Sequence, residues 1–233
     1  MATKIVIDAG HNGLSDPGAV YNGRRESDDT LRLAMAVGEI LSRSGYDVDY
    51  TRTGNINQSV IQKAQLANDT DADLFISIHR NMSEVPGSYH GVQSLVYDLS
   101  GQKLTMAEAI NKNLEGVGFR NINVEARPNL AVLRRTKMPA ILVEVGFIDN
   151  AEDNKLFDTR LDEIAQAIAD GIMDKMCIRD SPNIEQNNAT TSYIFGLLRF
   201  RIHRYTRIMA GPVYCSTVAV PALEYWIVVK YPY

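Results

Sequence analysis

Two histidines and two glutamates in this 233-residue chain have the types and surroundings that metal-assisted hydrolysis needs. His11 closes the run Ile7-Asp8-Ala9-Gly10-His11, and His79 sits in Ser77-Ile78-His79-Arg80-Asn81. Each follows a short apolar stretch. Glu26 lies between them, where a helical pattern begins, and Glu144 lies in the apolar run Ala140 to Phe147. Two imidazole nitrogens and one carboxylate oxygen make a three-ligand zinc site with an open fourth position. Zinc brings a bound water's pKa from about 15.7 toward neutrality and polarises a carbonyl. A nearby carboxylate can take the water's proton and return it to a leaving nitrogen. Glu144 suits that part, because Ile141, Leu142, Val143 and Val145 flank it. Apolar surroundings raise a carboxyl's pKa toward the working range. The ligand types favour zinc, one ion per chain, although cobalt or manganese would fill the same set.

Singly, each residue has a plainer reading. A histidine after a strand is commonly a hydrogen-bonded structural residue. Glu26 alone is a first-turn acid favoured by the helix dipole. Glu144 alone is a buried acid satisfied by backbone donors. Their agreement on one edge of a sheet carries the chemical reading.

The elements that would bring them there follow from periodicity. Lys4 to Ile7, Tyr46 to Thr51, Leu74 to Ile78, Val92 to Tyr97, Ala131 to Leu133 and Ala140 to Glu144 read as strands. Leu31, Leu33, Ala34, Val37, Ile40 and Leu41 recur at helical spacing, predicting a helix from about Glu26 to Ser44 that Gly45 stops. Further helices are expected over Gln58 to Asn68, Thr105 to Gly116, and around Leu161 to Ile172. Strands alternating with helices predict one α/β domain, a mostly parallel twisted sheet covered by helices on both faces. In such sheets the site lies beyond the carboxyl ends of the strands. His11 then follows the first strand, His79 ends the third and Glu144 ends the last. Glu26 joins them if the turn from Gly10 to Gly23 folds back, which Gly13, Gly18 and Gly23 permit. No Gly-Lys-Ser/Thr follows these glycines, so a phosphate-binding loop is not expected.

Composition narrows the rest. A formal charge of −4 gives no reason to expect nucleic-acid binding. No apolar run approaches the roughly 20 residues that cross a bilayer. Met-Ala-Thr-Lys leads at once into a strand, with no secretory-signal pattern. After Met176 the chain changes character: residues 1–176 carry 18 basic and 25 acidic residues, whereas 177–233 carry 6 and 3. The later segment also holds Cys177, Cys215, Trp226 and half of the aromatics. The two cysteines lack metal-ligand spacing and read as incidental. The aromatic and basic mix from Leu197 to Arg207 suggests a wall-binding or membrane-surface segment. A different account comes from Met176-Cys177-Ile178-Arg179-Asp180-Ser181. It resembles the in-frame translation of a transposase sequencing adapter, ATG TGT ATA AGA GAC AG. The expectation is a catalytic domain over 1–176, then an unassigned tail at 177–233 that is not a native domain and resembles no family.

Residues 4–175 resemble the zinc-dependent N-acetylmuramoyl-L-alanine amidases of the amidase-3 type. The resemblance runs in order through Ile7-Asp8-Ala9-Gly10-His11-Asn12-Gly13, Asp16-Pro17-Gly18-Ala19, Glu26 and Thr51-Arg52. It continues through Ala67-Asn68, Ser77 to Asn81, Gly91-Val92-Gln93, Val132-Leu133-Arg134, Met138 to Phe147, Asn150 and Asp153, and ends in the helix around Ile164 to Ile172. It implies hydrolysis of the amide between the muramic-acid lactyl group and the L-alanine of the peptidoglycan stem peptide. By position it implies His11, Glu26 and His79 as zinc ligands and Glu144 as the catalytic glutamate. Two departures stand out: Lys63 where an arginine is common, and Arg80 where a small residue is common.

Around this set, Asp8 either orients a ligand or caps the loop. Asn81 either anchors the loop after His79 or contacts substrate. Arg80 either faces substrate or sits at a solvated rim. Arg134 and Lys137 bind anionic muropeptide or form a solvated charge cluster. His90 and His203 have no motif support as ligands. With no secretory signal, a monomeric, lysin-like enzyme is expected, made in the cytoplasm and acting on the wall after release. The rivals are a zinc peptidase acting within the stem peptide and a wall-binding module without turnover.

Overall fold

A computed structural model describes residues 2–176. The readings made on 177–233, including Cys177, Cys215, His203 and the adapter-like segment, lie outside the described residues.

The chain opens with strand β1 (Lys4–Ala9), a short hairpin of β2 (Val20–Tyr21) and β3 (Arg24–Arg25), and helix α1 (Glu26–Arg43). Strand β4 (Asp47–Tyr50), helix α2 (Val60–Asp69), strand β5 (Leu74–Asn81) and strand β6 (Val92–Val96) follow. Then come α3 (Gly101–Val117), β7 (Asn121–Ala126), α4 (Ala131–Arg135), β8 (Ala140–Phe147), α5 (Ala151–Thr159) and α6 (Leu161–Met176). The main sheet has the order β4-β1-β5-β8-β6-β7. Four of its five pairings are parallel, and β6 against β8 is antiparallel. The expected α/β class and mostly parallel sheet are what the structure has. Among the described residues, no helix is long and apolar enough to cross a membrane.

Alternation along the strands sorts side chains to two faces. Ile5, Ile7, Leu74, Ile76, Ile78, Ile141, Val143 and Val145 join residues of α1, α3 and α6 in the larger core. Val6, Phe75, Ala140 and Leu142 join Ala67 of α2 and Val132 and Leu133 of α4 in a smaller one. On this second face each central strand turns polar toward its carboxyl end. Val6 gives way to Asp8, Phe75 to Ser77 and then His79, and Leu142 to Glu144. The polar ends of three adjacent strands therefore meet at one place.

Several expectations need correcting. Ala131 to Leu133 is helix α4, not a strand: Val132 and Leu133 reach the smaller core from one side of a single turn. The edge strand β7 and helix α5 were not foreseen. In β7, Asn121, Asn123 and Glu125 alternate with Ile122, Val124 and Ala126, a pattern too polar to stand out. In α5 the signal was the cap, since Asn150 Oδ1 accepts from the backbone N–H of Glu152 and Asp153. His79 and Glu144 do not end their strands either. The two strands continue to Asn81 and Phe147, through a register shift just past the His79–Glu144 pair. Gly146 lies in that bulge at φ +75°, a backbone conformation that suits glycine.

Candidate metal centre

Strand register places the first two groups. His79 and Glu144 are direct partners on the parallel strands β5 and β8, so their side chains share one face. Gly10 lets the β1 end approach closely: a Cβ there would lie 2.6 Å from His79 Cε1 and 2.7 Å from Ile78 O. His11 comes next, past the strand, in the left-handed backbone region at φ +62°. A non-glycine residue there is strained and persists only where its surroundings hold it.

Those surroundings are polar. Asn12 Oδ1 accepts from the backbone N–H of Leu14, Ser15 and Asp16 at 2.9, 3.0 and 3.0 Å. Lys63 Nζ reaches in from α2 and donates to Ala9 O at 2.6 Å, His11 O at 2.8 Å and Asp8 Oδ1 at 2.8 Å. Asp8 also accepts from Thr51 Oγ1 and Ser77 Oγ, both at 2.6 Å. Burial pushes the Asp8 carboxyl up, but Lys63 and these hydroxyls outweigh it and hold it below the usual carboxylate range. Asp8 therefore braces the strand end, its hydrogen bonds going to Lys63, Thr51 and Ser77.

Glu26 opens α1 and is folded back over the sheet edge. Its Oε2 is 3.0 Å from His11 Nε2 and its Oε1 is 2.9 Å from His79 Nδ1. The backbone N–H groups of Ala19 and Arg80 donate to the two oxygens, each at 2.9 Å. Gly18 keeps the returning loop close, because a Cβ there would meet Glu26 Oε2 at 2.6 Å and His11 Cδ2 at 2.5 Å. The imidazoles meet edge to face, with centroids 4.9 Å apart. One ligand atom from each of His11, Glu26 and His79 lies within 4.8 Å of the others.

The electrostatics suit a cation. Burial pushes the Glu26 carboxyl up, but the two histidines outweigh it and hold Glu26 far below the usual carboxylate range, hence ionised. Glu144 goes the other way. Burial is the largest influence, the neighbouring Glu26 adds to it, His79 opposes it, and the pKa is raised to about 7. Its Oε2 is buried without a hydrogen-bond partner, the single orphaned carboxylate oxygen among the described residues. Buried polar atoms rarely go unsatisfied without a functional reason. Nitrogen and carboxylate donors on three sides, beside an uncommitted carboxylate, are a donor set that fits zinc.

The other expected residues fall elsewhere. Arg80 neither reaches out to where substrate would bind nor sits at a solvated rim. It follows His79 on the strand, so it points to the opposite face, with its side chain 0% exposed. There its guanidinium donates to Asp29 Oδ2 and Asn154 Oδ1, both at 2.7 Å, and lies 4.2 Å from the Phe157 ring centroid. Asn81 is half-buried and anchors the turn after β5: Oδ1 accepts from Met82 N–H at 2.8 Å, and its carbonyl accepts from Ile148 N–H at 2.7 Å. Arg134 and Lys137 line an open cleft with Tyr97, Asp98 and Ala140. Ala140 begins β8, four residues before Glu144, so that cleft is at the other end of the strand. Sequence reasoning assigned no role to Asp16, whose Oδ1 is 2.8 Å from His11 Nδ1. The signal was available, because Asp16 belongs to the ordered pattern.

The Amidase_3 family, described as N-acetylmuramoyl-L-alanine amidase, matches residues 5–174. An endolysin of Bacillus phage SPP1 is 36% identical over 181 residues, covering 74% of this chain and 65% of that protein. A sporulation-specific N-acetylmuramoyl-L-alanine amidase of Bacillus subtilis (strain 168) is 36% identical over 175 residues, 72% of this chain and 66% of that one. The chain thus spans about two thirds of the length of these curated relatives. Among solved structures, an N-acetylmuramoyl-L-alanine amidase from Clostridium difficile 630 superposes with a TM-score of 0.71 at 28% identity. That match covers 76% of this chain and 97% of the other. The catalytic domain of CwlV, from Bacillus (Paenibacillus) polymyxa var. colistinus, gives a TM-score of 0.68 at 30% identity, covering 76% and 99%. With a family match running from the first strand to the closing helix, the chain belongs to the Amidase_3 family of N-acetylmuramoyl-L-alanine amidases.

Proposed function

We propose that this protein is a peptidoglycan hydrolase that cleaves the amide between the lactyl group of N-acetylmuramic acid and the L-alanine of the stem peptide. Residues 1–176 are its catalytic domain. His11, Glu26 and His79 hold one zinc ion, and Glu144 is the catalytic residue. The observation that carries this reading is the convergence of three ligand atoms within 4.8 Å beside the unpaired, buried Oε2 of Glu144. The family match and the names of the relatives support a cell-wall substrate. All four groups come from one chain, so a monomer is sufficient. Action on the wall after release from the cell, as the endolysin relative's name suggests, is part of the proposal.

Zinc held by these residues would polarise the scissile carbonyl and make water acidic enough to attack it. Glu144 moves the protons. A carboxyl poised near pH 7 accepts a proton from the attacking water at Oε2 and returns it to the departing amine nitrogen. Glu26 stays ionised and balances the cation. Asp8 and Lys63 keep the His11 loop in place.

The test is digestion of purified peptidoglycan by the full chain, with zinc and after chelation. Amino-terminal alanine should appear only with metal, with no new reducing sugar ends. A different new amine would move the assignment to a peptidase. Tight binding with no cleavage by folded, zinc-loaded protein would make it a binding module. Glu144→Gln should lower turnover by about 10²–10⁴-fold while leaving zinc binding in place.

A further inference from the structure

His11 is the more loosely built of the two histidines. It stands outside the sheet at φ +62°, and its side chain is 22% exposed. Its two ring nitrogens face two carboxylates: Nε2 is 3.0 Å from Glu26 Oε2 and Nδ1 is 2.8 Å from Asp16 Oδ1. The Asp16 side chain is 50% exposed, and its other bond is from the Gly18 N–H to the same oxygen at 3.1 Å.

Apart from that Gly18 contact, the loop takes its shape from other groups. Three backbone N–H groups are gathered by Asn12 Oδ1. The contacts from the backbone N–H of Asn12 and Gly13, both at 3.1 Å, go to the main-chain carbonyl of residue 16, which any residue would supply. Beyond the Gly18 N–H, the side chain of Asp16 is thus directed at the imidazole, its shorter contact. Histidines that ligate metals generally donate their second ring N–H to such a partner, which fixes tautomer and ring orientation.

We infer that Asp16 is a positioning residue: by accepting a hydrogen bond from His11 Nδ1, it turns the Nε2 lone pair toward the metal. It acts through His11 and touches no substrate. His79 needs no such brace on the loop side, because its ring lies against Gly10 and its strand is paired on both sides, with β1 and β8. The inference rests on the proposed metal centre and goes one step beyond it.

The experiment measures zinc affinity of the full chain by competition with a chromogenic chelator, alongside the melting temperature of the metal-free protein. Asp16→Ala should weaken zinc binding by about 10–100-fold with little change in that melting temperature. Asp16→Asn keeps an acceptor oxygen and should recover part of the loss. Unchanged affinity in Asp16→Ala overturns the inference and leaves the metal centre standing. A fall in metal-free stability matching that of Asn12→Ala overturns it as well, since the carboxylate would then be forming the loop. If the parent protein binds no zinc, the metal centre itself fails and the inference with it.

Discussion

The two histidines of the site are placed by opposite means. His79 belongs to a strand, with neighbours on both sides and a glycine against its ring. Register and close packing leave it one position. His11 belongs to a strained loop, and a set of directed polar bonds from Asn12, Lys63 and Asp16 holds it. Packing resists displacement because filled space cannot be compressed. A polar cradle resists only while each donor has its acceptor. The loop histidine is therefore the more sensitive to polar substitutions, and the strand histidine to changes of volume.

Lys63→Met should have the largest effect on stability. It leaves Asp8 buried without its ion-pair partner, frees the His11 carbonyl and leaves the Ala9 carbonyl with Arg52 Nε alone. Breaking a buried ion pair costs about 3–5 kcal/mol, read as a lowered denaturant midpoint. Zinc affinity should fall too, because the His11 carbonyl loses its tether. If stability drops and zinc affinity does not, the loop is held otherwise than described.

Gly10→Ala tests the strand side. The added methyl would lie under 3 Å from both the His79 ring and the immovable Ile78 carbonyl. Overpacking of this kind costs about 1–3 kcal/mol, and displacement of the ring should weaken zinc binding. Asn12→Ala tests the loop side without touching His79. Three backbone donors lose their acceptor, for about 1–2 kcal/mol in the metal-free protein. Equal stability of parent and variant in thermal melts would contradict the role given to Asn12.

The smallest effect is a pH dependence. Asp8 is held below the usual carboxylate range, and an unperturbed aspartate titrates near about 3.9. Its stabilisation is complete above that value and is lost as pH falls through the folded pKa. In Lys63→Met the same carboxyl is buried without its ion-pair partner, so protonation relieves it. The stability gap between parent and variant should narrow between pH 7 and pH 4 in urea titrations. A gap independent of pH would mean that Asp8 does not carry the linkage.

Much of this was legible because the central strands alternate. The apolar runs around Ile7, Ile76 and Val143 announce a buried sheet, and a polar residue at the carboxyl end of each announces its working edge. The closure of Glu26 over that edge could be expected from its glycines. The same alternation would have settled Arg80. Ile76, Ile78 and Arg80 share one face, Ser77 and His79 the other, but only once β5 is carried past Ile78. A charged residue following an apolar run reads as the strand's end, and Asp29, Asn154 and Phe157, which make its burial tolerable, are far away in sequence. Distance in the chain hid Arg134 in the same way, since the pattern gives its neighbours along the sequence but not which end of β8 it occupies. Helix α4 was missed because three apolar residues fit a strand or a single turn equally well.

The register shift beyond His79 and Glu144 bears on how this fold tolerates changes of length. One residue inserted between Ala140 and Glu144 would send the glutamate through the sheet to the side of Arg80, since side chains alternate with a period of two. Downstream of Glu144 the strand already accommodates an irregularity. Insertions and deletions should therefore be purged from Ala140 to Glu144 during divergence or directed evolution and be better tolerated just beyond that residue. The bulge marks the boundary between a stretch of β8 whose length sets the face on which Glu144 stands and one where the pairing already absorbs a change of length.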